Sequence, residues 1–100
     1  MHTFERWRDR LQLAPNMSAV TSMMNDYVDA IGPVIAVLPP ACQRALRSPV
    51  DVQAVAVTLL QEELCFRGSA ETAAVLHEVA HTFAAAAVRI TALHGKPSSD

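Results

Sequence analysis

Two histidines four residues apart, with a glutamate directly after the first, are the residues of this chain best suited to do chemistry. They form the string His77-Glu78-Val79-Ala80-His81. On a helix, positions i and i+4 lie one above the other on the same face, so both imidazoles can hold one zinc ion. The intervening glutamate can reach an ion-bound water as general base. On that reading His77 and His81 are metal ligands and Glu78 is the catalytic residue. A two-histidine site still lacks a third protein ligand.

The string resembles the HExxH signature of the zincin metallopeptidases. The resemblance implies zinc on His77 and His81, and hydrolysis of a peptide by a water that Glu78 activates. It covers five residues of the chain. Where the extended signature carries glycine and histidine, this chain has Ala84 and Ala87. The other main branch takes a glutamate from a later helix, and the nineteen residues after His81 contain none. His94 lies further along the same predicted helix, roughly 20 Å away, and cannot reach the same ion. A third ligand must therefore come from another element, and Glu63 is the best candidate, ahead of Glu62 and Cys65. Its competing role is an i,i+4 ion pair with Arg67. Within the same string Glu78-x-x-His81 resembles the di-iron motif of ferritin-like bundles, which implies a second copy of the motif and two more acids. A homodimer would supply that copy. Lacking a third ligand nearby, the sequence ranks a structural histidine pair first, a zinc site second and metallopeptidase-like hydrolysis last.

The element that must position these residues runs from Ser69 to His94. A capping serine, an alanine-rich body free of Gly and Pro, and Gly95 with Pro97 beyond mark its start, length and stop. At 100° per residue, Val75, Leu76, Val79, Phe83, Ala86, Ile90 and Leu93 gather on one side. Glu71, Glu78, Thr82 and Arg89 form a narrow polar strip. The remaining arc holds Ala74, His77, His81, Ala85 and Val88, a flat surface suited to close approach by a second helix or subunit. If that arc is covered, the histidines are buried neutral and acid should weaken the fold near about pH 5–6.

The rest of the chain supplies partners for this rod. Thr3 can cap a first helix carrying Phe4, Trp7 and Leu11 on one stripe. Asn16 can cap a second, with Val20, Met24, Tyr27, Val28 and Ile31 inward, that ends at Gly32-Pro33. Pro39-Pro40 break a kinked helical crossover spanning about residues 33–47. Ser48, Pro49 and Asp51 start a helix that runs to Arg67, with Gly68 as its left-handed C-cap. Gly68 and Ser69 alone then turn the chain into a central antiparallel hairpin, about 49–67 against 70–94. No strand pattern survives. The expectation is an all-α fold: a compact bundle of four principal helices, one domain over 1–95, with a frayed tail at 96–100.

Composition narrows the function more by exclusion. Apolar residues make up 51% and charged ones 18%, so the chain buries a core. A net charge of −2 with scattered basic residues argues against nucleic acid and anionic membranes as partners. Trp7 among Arg6, Arg8 and Arg10 reads as a core aromatic on a solvated helix, and Met17, Met23 and Met24 as core filler. Charge near the start stands where a secretory signal has an apolar run, so Cys42 and Cys65 read as reduced thiols of a cytoplasmic protein. The function expected is a non-enzymatic interaction or assembly module without a cofactor, self-associating through Ala74, His77, His81, Ala85 and Val88. The alternative is zinc binding at 77–81.

Overall fold

Capping residues and prolines divide the chain into six helices, with no strand among the described residues: the fold is all-α. A computed structural model describes residues 2–47 and 49–95, and the side chains of 6–47 and 49–94. The expected cap Ser48 and the tail 96–100 lie outside them. Four helices are long: α1 (His2–Gln12), α2 (Met17–Ala30), α5 (Val52–Cys65) and α6 (Ala70–Gly95). Two short ones, α3 (Gly32–Ile35) and α4 (Pro40–Ala45), make the crossover.

The signals at most helix ends act as their chemistry dictates. Asn16 accepts the Ala19 amide at 2.8 Å and starts α2. Pro39 is extended, Pro40 opens α4, and the Gln43 amide ties the crossover by donating to the Leu38 carbonyl at 2.7 Å. Three ends differ from expectation. Helix α1 already runs from His2, which places Thr3 inside it. Helix α5 begins after Asp51, whose carboxylate accepts the Ala54 amide at 3.2 Å, so Asp51 is the cap and Pro49 stands outside. Its C-terminus comes at Cys65 rather than Arg67, because Phe66 turns extended with φ −67° and ψ 134°.

Gly68 is not the left-handed cap the sequence suggested. Its backbone stays outside that region, and its missing side chain answers a packing need instead: a Cβ would press on the Phe66 ring, 2.9 Å from Cε2 and against Cζ. The turn therefore comprises residues 66–69. Ser69 then caps α6, its hydroxyl accepting the Thr72 amide at 3.1 Å and its carbonyl the Ala73 amide at 2.9 Å.

Helix α6 touches α5, α1 and α2 and is the rod the others wrap. Leu76, Val79, Ala80, Phe83 and Ala86 are wholly buried along it. The Gln53–Thr91 and Glu63–His77 contacts fix α5 and α6 as antiparallel. Trp7, Tyr27 and Phe83 stack edge to face at 5.4 and 6.0 Å, locking α1 and α2 onto α6. Each such pair contributes about 0.5–1.5 kcal/mol beyond its burial. Met24 is in the core, Met23 is half-buried, and Met17 is exposed. Among the described residues no helix is long and apolar enough to cross a membrane.

Candidate metal centre

Of the polar strip of α6, Glu71 is exposed, while Glu78, Thr82 and Arg89 lie where the first two helices dock. Thr82 is wholly buried and donates to the Glu78 carbonyl at 2.9 Å. Arg89 donates through Nε and Nη2 to the Ala14 carbonyl, at 3.1 and 2.7 Å, where the chain leaves α1. Glu78 lies 3.5 Å from Arg8 of α1. The general-base candidate is thus engaged with a guanidinium, about 100° around the helix from His77.

On the other side, His77 and His81 meet Glu63 of α5. Glu63 Oε2 lies 2.5 Å from His77 Nδ1, and Oε1 lies 3.7 Å from His81 Nε2. The imidazoles are stacked with centroids 3.9 Å apart and planes tilted by 34°. One donor atom from each of the three residues fits within 4.8 Å of the others. Of the third-ligand candidates named from sequence, the structure brings Glu63 to the pair. By residue level alone Glu63 stands nearer the turn than His77. Side chains on a helix lean toward its N-terminus. In an antiparallel pair His77 therefore leans toward the turn and Glu63 away from it, and the gap closes. The competing Arg67 partner is lost because α5 stops at Cys65; Arg67 donates to the Phe66 carbonyl instead.

The cluster sits at the surface. His77 and His81 side chains are 54% and 46% exposed, and Glu63 is 26% exposed. Among the described residues nothing lies over them, so within a single chain the histidine arc stays open. Ala74 and Val88 of the same arc are exposed and Ala85 is half-buried. Such a site can be reached from solvent without opening the core. Two neutral imidazoles and a carboxylate suit zinc, iron, cobalt or nickel. A tetrahedral ion with bonds near 2.0–2.2 Å wants donors roughly 3.3 Å apart, so binding requires the widest pair to close by up to about 1.5 Å and the Glu63–His77 pair to open. Rotamer adjustment of exposed side chains supplies that.

Sequence reasoning missed Arg8 and Arg89 as residues that join helices. The signal was present, since Arg89 interrupts an otherwise apolar stretch after Val79. Comparison of the chain with family models, with curated proteins and with solved structures finds no match.

Proposed function

We propose that this chain is a small helical metal-binding protein that holds one divalent transition ion, zinc by first choice, on Glu63, His77 and His81. The observation that carries this reading is the convergence of two imidazoles and a carboxylate from two helices on one volume. With three protein ligands, the ion keeps at least one exchangeable position. Glu78, engaged with Arg8, supports binding without hydrolysis, so the reading is non-enzymatic. Free thiols at Cys42 and Cys65 suit a reducing, cytoplasmic setting.

The test is elemental analysis of untagged protein after exposure to zinc and gel filtration. One equivalent should remain on the wild type, and much less on His81→Ala or Glu63→Gln. A wild type that retains no ion, or variants that retain it equally, would overturn the reading.

A second reading, an interaction or assembly module, is favoured by apolar side chains left outside: Val88 is 68% exposed and Leu64 is 82% exposed. The partner on this reading is another protein or a second copy. Self-association should fall on dilution and vanish in Ala74→Glu or Ala85→Glu. A constant mass in a sedimentation dilution series would exclude self-association.

A further inference from the structure

Between α1 and α6, lined from Ala85 onward, one helical turn beyond His81, runs a groove of about 490 Å³. Its walls are aliphatic: Leu11 from α1, and Ala85, Val88 and Ala92 from α6. Its polar features include two guanidinia, Arg8 and Arg89, and none of the described residues lining it is acidic. The volume falls within the range of small-molecule sites, about 300–1,000 Å³.

The charges in the groove do not balance. Arg8 has Glu78 beside it at 3.5 Å. Arg89 is half-buried, and two of its nitrogens donate to the Ala14 carbonyl, a neutral acceptor that orients the guanidinium without cancelling its charge. A cation partly removed from water beside apolar walls is best satisfied by an anion, and with the Nε/Nη2 edge held by Ala14 the Nη1/Nη2 end of the guanidinium matches a carboxylate. Among the described residues the groove thus offers one net positive charge next to a hydrocarbon-lined trough. Val88 at 68% exposed leaves that trough open to an entering chain.

We propose that this groove binds an aliphatic monocarboxylate, its carboxylate on Arg89 and its hydrocarbon chain along Leu11, Ala85, Val88 and Ala92. The inference is independent of the metal reading. A small ligand is favoured over a peptide because one uncompensated cation and mainly aliphatic walls, with Gln12 the one neutral polar side chain among the described lining residues, offer little to a peptide backbone or to varied side chains.

The test is calorimetric titration of octanoate into the full chain, in excess EDTA so that no ion at Glu63, His77 and His81 can capture the carboxylate. Octanoate should bind saturably at one site, and octanol, lacking the charge, roughly tenfold or more weakly. Val88→Glu places a like charge on an exposed position of the wall and should abolish octanoate binding while the circular dichroism spectrum stays helical. Arg89→Gln should narrow the preference for octanoate over octanol by roughly tenfold or more, a ratio that a mere loosening of the groove would leave unchanged. Absence of saturable binding, equal affinity for octanoate and octanol, or an unaffected Val88→Glu would each overturn the proposal. So would preference for a peptide bearing a free C-terminal carboxylate over octanoate.

Discussion

Burial raises the Tyr27 phenol from its ordinary 10.0 to about 12, an effect the Thr82 side-chain hydrogen bond lowers only in part. The unfolded chain releases that proton near its ordinary value, whereas the folded chain holds it to about pH 12. The stabilisation is therefore complete below the unfolded value and is lost as the pH climbs through the folded one, a change of roughly 2–3 kcal/mol. Urea midpoints should fall more steeply from pH 9 to 11 in the wild type than in Tyr27→Phe. Parallel curves would show that the phenol is not desolvated. Burial pushes the Cys42 thiol the same way, from 9.0 to about 11, with Glu62 adding to it. Cys65, by contrast, is exposed at the end of α5. Alkylation with iodoacetamide at neutral pH should label Cys65 alone, and Cys42 only once the chain is denatured; rapid double labelling would contradict the burial of α4. Both thiols look alike in the sequence, and only the packing of α4 distinguishes them.

Between elements, the turn at 66–69 is where local sequence and tertiary packing part company. A glycine after an amphipathic run signals a left-handed cap, and no periodicity reveals that the Phe66 ring will fold over Gly68. Gly68→Ala should accordingly destabilise by about 1 kcal/mol through displacement of that ring, and Phe66→Leu should relieve part of the cost in a double-mutant cycle. Additive effects in urea unfolding would locate the strain elsewhere. The opposite case is Asn16, where the cap was legible because an amide side chain before a helical stripe has one good use. Ser48 and Asp51 compete for that use at the start of α5, and composition cannot rank a hydroxyl against a carboxylate three positions later. Asp51→Ala should cost about 1 kcal/mol, read as a lowered urea midpoint. No loss would leave the start of α5 to Pro49 and Val50.

For the whole molecule, the inward face of α6 was readable because large apolar residues recur at helical spacing from Leu76 to Leu93. Its outward side was less so: Ala74, His77 and Val88 face solvent, while the strip of Glu78, Thr82 and Arg89 is where α1 and α2 dock. Small and polar residues alike tolerate contact or exposure, so their pattern does not decide between them. Glu63 was the best partner the sequence offered the histidines, yet how closely it meets His77 depends on the lean of side chains across a hairpin as well as on residue level. Glu63 with the histidines joins α5 to α6 on the open flank of that rod. An ion held there clamps the hairpin in the folded state alone. At free zinc one hundred times its dissociation constant, linkage gives about 2.7 kcal/mol of added stability. For a chain of this size that raises Tm by on the order of 10 °C. The gain should vanish in His81→Ala and in Glu63→Gln. It should also shrink on acidification, because the imidazoles must be free of protons to bind the ion. A melting temperature that zinc leaves unchanged at neutral pH would mean that the three side chains meet only as a hydrogen-bonded cluster.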